Sequence, residues 1–208
     1  MKQLFSLILS TLLSFSVFSQ DFEGKIIYQY SYKSKVPKVT DDDLLHAMGT
    51  TSEYFIKDGN YKSIPNGNTC LWSLYINKEN KVYTKLSGVD AILWVDASKN
   101  DDKVLKAEIN KSVTTIAGHL CDELVLKCRT GVQKIYFSSK VSVNVKLFEK
   151  HKYNNWYDIL SRTNALPLKY IIENEQFIAE GTALAVIERK IADSTFALPI
   201  DTKLKRLN

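Results

Sequence analysis

The chain has 208 residues, 45% of them hydrophobic and 11% aromatic, a balance that excludes a disordered chain and suits one domain with a sizeable core. Its 28 basic and 23 acidic residues leave a formal net charge of +5. The lysines are scattered and not bunched, so no nucleic-acid surface is indicated, and the charge implies only mild attraction for anionic lipid headgroups.

The N-terminus has the three-part layout of an export signal. Lys2 is the only charge before Asp21, residues 4–18 form an apolar run, and Val17 and Ser19 place small side chains where a signal peptidase reads. The run is about 15 residues, short of the roughly 20 that a spanning helix needs. Cleavage after Ser19 or Gln20 is therefore expected, giving a signal peptide over 1–20, a single mature domain over 21–208, and a secreted or periplasmic location. No cysteine lies near the cleavage region to accept a lipid.

From residue 22 onward, apolar and polar residues alternate with period two, as in half-buried antiparallel strands. Phe22, Gly24, Ile26, Tyr28, Tyr30 and Tyr32 share one face of the first strand, and Glu23, Lys25, Gln29, Ser31 and Lys33 share the other. Thr40 is placed to cap a helix that begins with Asp41, Asp42 and Asp43 at the positive end of its dipole, presents Leu44, Leu45 and Met48 to a sheet, and stops at Gly49. Further strands are predicted over 52–57, 60–64, 69–77, 81–86, 91–95, 104–109, 119–128 and 132–138. Turn sequences such as Asp58-Gly59-Asn60 and Pro65-Asn66-Gly67-Asn68 separate them, so the sheet reads as a meander. A second helix is predicted over 153–161, with Trp156, Ile159 and Leu160 as its apolar stripe. Strands over 166–173 and 176–190 complete the pattern. In the last of them Phe177, Ala179, Gly181, Ala183, Ala185 and Ile187 share a face. Small residues in mid-strand let something approach the backbone closely, either the domain's own helix or a ligand.

Cys70, Cys121 and Cys128 are an odd set, best accounted for by one disulfide and one thiol in an oxidising compartment. Cys121 and Cys128 lie on one extended strand, roughly 23 Å apart at about 3.3 Å per residue, far beyond the reach of about 7 Å that a bridge allows. Cys70 is thus the expected partner. Strand parity favours Cys70–Cys128 over Cys70–Cys121, an assignment that one bulge would reverse.

Catalytic constellations are missing. The chain has no G-x-S-x-G elbow, P-loop, Rossmann fingerprint or H-E-x-x-H. His46, His119 and His151 fall in different elements. His119 and Cys121, two apart on a strand, sit about 7 Å from each other, too far for a nucleophile and its base. The three aspartates at 41–43 are explained by helix capping, and no CxxC or His cluster suggests a metal. Asn110-Lys111-Ser112 matches a glycosylation sequon. The aromatic residues remain. Trp72, Tyr75, Tyr83, Trp94, Tyr136, Phe137, Trp156 and Tyr170 are more than one sheet and two helices readily enclose, which points to a groove of the kind that takes apolar ligands.

Several short motifs carry a resemblance: F-x-G-x-I at Phe22 to Ile26, T-x-I-x-G-H-x-C from Thr114 to Cys121, A-L-P-L from Ala165 to Leu168, and A-L-A-V-I-E-R-K-I followed by F-A-L-P between Ala183 and Pro199. With the leader and the meander, they resemble secreted bacterial proteins grouped under a domain of unknown function, which are similar to the LolA-like lipoprotein carriers. The resemblance implies a mainly β (α+β) half-barrel, a curved antiparallel meander around one or two helices, in the envelope of a Gram-negative bacterium. It implies a non-enzymatic protein without a cofactor that binds a lipid or acyl chain in an apolar cavity. An envelope module with a self-filled cavity and a protein partner is the alternative. The expected cavity walls are the small face of the last long strand, with Phe177, Gly181, Ala183 and Ala185, together with Trp72, Trp94 and the helix bearing Trp156.

Overall fold

The period-two alternation becomes twelve strands, which hold 53% of the described residues and form one large curved, mainly antiparallel sheet that does not close. The structure is a computed structural model and describes residues 21–207; the expected export signal lies outside the described residues. The strands are β1 (Gly24–Ser34), β2 (Thr51–Lys57), β3 (Asn60–Pro65), β4 (Cys70–Ile76), β5 (Lys81–Leu86), β6 (Ile92–Asp96), β7 (Val104–Ile116), β8 (His119–Cys128), β9 (Val132–Ser142), β10 (Ala165–Glu173), β11 (Phe177–Glu188) and β12 (Leu204–Arg206). The fold class expected from the alternation is the one found.

The order across the sheet is β12-β6-β5-β4-β3-β2-β1-β11-β10-β9-β8-β7. Two meanders, β1 to β6 and β7 to β11, are joined where β1 pairs with β11. The register there sets Tyr30 opposite Gly181 and Tyr32 opposite Ala179. Only β12, which the sequence pattern did not suggest, runs parallel to its neighbour, β6.

The first helix, α1 (Asp41–Met48), has the expected start: Thr40 Oγ1 accepts from the Asp43 amide and the Asp43 carboxylate accepts from the Thr40 amide, a complete capping box. At its far end the turn between β3 and β4 supplies donors, since the amides of Asn68 and Thr69 bond the carbonyls of His46 and Ala47. The helix packs on β1 at the rim of the sheet with no buried residue, and Met48 stays exposed.

The concave face is covered by residues 145–163, which end in helix α2 (Trp156–Thr163). Two amides, of Lys152 and Tyr153, bond the carbonyl of the fully buried Ala97 and tie this cover to the end of β6. Phe148, His151, Ile159 and Leu160 are buried beneath it. The convex face is closed separately. Beyond β11 the chain crosses that side, and Ile191 and Phe196 pack onto Phe55, Leu74, Tyr83 and Ile92.

The expected Cys70–Cys128 disulfide is corrected. All three cysteines are free thiols, and β4 and β8 stand on opposite arms with six strands between them in the sheet order. Parity misled twice. A register shift between Cys70 and Trp72 separates Cys70 from the face that Trp72 and Leu74 occupy. Cys121, assigned to the outer face by alternation, is fully buried against Ile116 and Val141.

Candidate functional site

Between the concave face and its cover lies a cavity of about 330 Å³. Tyr28, Tyr30, Tyr54, Tyr61 and Tyr170 line it from the sheet, and Tyr153, Trp156 and Ile159 line it from the cover. Alternation explains the concentration of rings: each tyrosine occupies an inward position on its strand, and cross-strand pairing brings the rings into register. Tyr54 stacks on Tyr61 at 5.4 Å between centroids, and Tyr61 on Tyr75 at 5.2 Å. Trp156 approaches Tyr61 at 5.6 Å, while Tyr170 packs on Tyr28 at 5.8 Å. Offset and edge-on contacts of this kind are worth about 0.5–1.5 kcal/mol each beyond their buried area.

Hydrogen bonds fix most of these rings. Tyr28 Oη donates to the Pro167 carbonyl, Tyr30 Oη meets Ser52 Oγ at 2.7 Å, and Tyr61 Oη meets His151 Nε2 at 2.8 Å. Three polar atoms in this neighbourhood are closed off from solvent and have no partner: Tyr54 Oη, Trp156 Nε1 and His151 Nδ1. Burial pushes the Tyr28, Tyr54 and Tyr170 hydroxyls well above the usual phenol range. It also drives the His151 imidazole down to about 3, so that ring is neutral.

At one end the cavity meets a wider mouth of about 540 Å³. The two spaces share Tyr30, Gln133, Asn154, Tyr170 and Ile172 as lining. Met48, Cys70, Asp102, Glu173 and Phe177 stand around the mouth. Asp102 accepts from the Thr130 amide at 3.0 Å and the Asn155 side-chain amide at 3.3 Å, and Glu173 pairs with Lys35 at 2.7 Å.

The residues expected to wall the cavity are only partly brought together. Trp156 lines the inner space and Phe177 the mouth. Gly181 faces inward, but Tyr30 and Tyr170 already occupy the space over it: a Cβ there would lie 2.6 Å from Tyr170 Cζ and 2.7 Å from Tyr30 Cε1. Ala183 is buried in the core. A register shift between Ile27 and Tyr28 turns Ala185 outward, opposite Ile27, and leaves Val186 opposite the inward Ile26. Trp72 and Trp94 lie on the convex face with the Phe196 cluster, beneath Lys62 and Lys81 respectively.

Alternation puts Tyr28 and Tyr30 on one face of the first strand, but nothing in the sequence pattern singled out Tyr54, Tyr61 or His151. The signal that was present is tyrosine recurring at inward positions of successive strands, which distinguishes this wall from an aliphatic core.

Among the described residues no group of three or more His, Cys, Asp or Glu is placed to hold a metal, and no described helix is long and apolar enough to cross a membrane. No family model and no curated protein matches the chain. A solved structure of PNGF-II in the P21 space group aligns with 89% of this chain at 13% identity and a TM-score of 0.47. The aligned region is 32% of that protein, so this chain spans about a third of its length.

Proposed function

We propose that this protein binds an apolar or amphipathic molecule, of the size of a lipid acyl chain or smaller, in the tyrosine-walled groove. The observation that carries this reading is space: the cover over the concave face leaves about 330 Å³ unfilled beside Trp156 and Ile159. That volume falls within the range of about 300–1,000 Å³ typical of small-molecule sites, whose walls are mostly apolar and aromatic with a few polar groups. Tyr54 and Trp156, which line this wall, each hold an unpaired polar atom beneath its surface, and a bound molecule that displaces the packing over such an atom offers it a partner. Export to the cell envelope and kinship with lipoprotein carriers, expected from the leader and the short motifs, belong to this proposal and place the ligand outside the cytoplasm.

The alternative, an envelope interaction module with a self-filled interior, is favoured by one observation. The small residues of β11 accommodate the protein's own Tyr30 and Tyr170 rings. The two readings separate on substitutions that fill the remaining space. Ser63 and Ser73 are cross-strand partners and the smallest side chains in the cavity wall. Ser63→Trp should abolish uptake of a fluorescent long-chain probe and of any lipid-sized adduct seen by native mass spectrometry after purification from the host. It should change stability by less than about 1 kcal/mol, below the roughly 1–3 kcal/mol of an overpacked core. A wild type that takes up neither probe nor adduct, together with a destabilised Ser63→Trp, would favour the interaction module.

A further inference from the structure

The electrostatics of the groove narrow the ligand class, on the reading that the groove is a binding site. The inner cavity is lined by tyrosine, tryptophan, serine, glutamine, asparagine and aliphatic side chains, without a single Lys, Arg, Asp or Glu. The Tyr54 and Tyr170 hydroxyls are neutral because burial holds them protonated, and His151 behind Tyr61 is neutral because burial keeps its imidazole unprotonated. Among the residues that line the mouth, the charged side chains are Asp102 and Glu173, both acidic. Glu173 is offset by Lys35, while Asp102 is held by amide donors and not by a cation. A carboxylate or phosphate head would therefore meet no countercharge inside the cavity and a carboxylate at its entrance. Burying a charge without a partner is costly, and like charges raise that cost further.

Hydrogen-bond chemistry supplies the complementary half. The Trp156 indole N–H can only donate, and the Tyr54 hydroxyl can donate; both are closed off from solvent and unpaired. An oxygen acceptor on the ligand that displaces the packing over them would satisfy them with no charge involved. We infer that the groove takes an uncharged amphiphile, an apolar body bearing a neutral oxygen acceptor such as an ester, ether or hydroxyl, and discriminates against anionic lipids, free fatty acids included.

The test uses three probes with one twelve-carbon chain, each below its micelle concentration, titrated calorimetrically into the mature protein at pH 7.5. They are 1-dodecanoylglycerol, dodecanoate and dodecyltrimethylammonium. The neutral glyceride should bind at least tenfold more tightly than dodecanoate and more tightly than the cation. Dodecanoate binding as well as the glyceride, or the cation binding best, would overturn the inference while leaving the groove a binding site. No binding by any of the three would overturn the site itself. Two variants check the cause. Thr130→Lys places a cation at the exposed mouth and should raise dodecanoate affinity at least threefold relative to that of the glyceride. Tyr54→Phe keeps the ring but removes the hydroxyl donor and should weaken the glyceride several-fold. Unchanged affinities in both variants would show that shape and not charge or hydrogen bonding sets the preference, and would likewise overturn the inference.

Discussion

His151 is a residue whose chemistry departs far from its solution behaviour. Its ring lies 4.1 Å from that of Tyr75, with Tyr61 and Trp156 also against it. Desolvation lowers its pKa to about 3 against the opposing pull of a hydrogen bond with its own backbone. The unfolded chain, titrating near 6.5, takes up this proton first, so stability is full above pH 6.5 and falls as acid is added. Between neutral pH and pH 5 the loss attributable to this ring is about 2 kcal/mol. Urea melts of wild type at pH 7.5 and pH 5 should show that loss, and His151→Phe, which keeps a ring but cannot titrate, should remove most of it. The window stops at pH 5 because Glu23, Asp43 and Asp122, whose carboxyls sit below their ordinary range, add their own acid-dependent losses lower down. An unchanged pH slope in His151→Phe would mean that the ring exchanges with a solvated conformation.

At the scale of the element, β11 shows how two opposing effects are decided by magnitude. Gly181 does not have a positive φ, so replacing it with alanine relieves backbone entropy worth about 0.4–1 kcal/mol. Against that, the added Cβ would stand 2.6 Å and 2.7 Å from the Tyr170 and Tyr30 rings, an overpacking that costs about 1–3 kcal/mol. Gly181→Ala should therefore lower the urea midpoint, with a net loss of about 1 kcal/mol; a higher midpoint would mean that both rings swing freely. The same strand shows what was legible beforehand. Alternation revealed its length, its inward face from Phe177 to Ala183 and its need for small residues. The identity of what packs there was hidden, because tyrosines opposite Gly181 belong to β1 and β10 and pairing partners are not written in one strand. Ala185 and Cys70 were misplaced for a different reason. Each lies next to a register shift, and one extra residue reverses every later side chain while leaving composition unchanged.

For the whole molecule, the sheet divides the interior into two compartments with different tasks. The concave side carries the groove and its cover; the convex side carries the crossing of the chain beyond β11, with Phe196 only 9% exposed over Leu74 and Tyr83. The tryptophans mark this division, since Trp156 lies on the first side while Trp72 and Trp94 lie on the second. Sequence alternation recognised all three as ordered but could not tell one face from the other, because both faces of the β2 to β6 arm are apolar. Truncating Phe196 to alanine removes the plug of the convex compartment and should cost about 3 kcal/mol, the lower end for a buried Phe→Ala change. The groove does not use this residue, so the affinity of Phe196→Ala for 1-dodecanoylglycerol should match wild type under conditions where both are folded. Ser63→Trp should do the opposite, losing the ligand with little loss of stability. Because the two sites share no lining residue, the double variant's stability should equal the sum of the single changes within about 0.5 kcal/mol. A weaker ligand affinity in Phe196→Ala, or a clear departure from additivity, would show that the sheet transmits strain between its faces and that the strap helps to shape the groove.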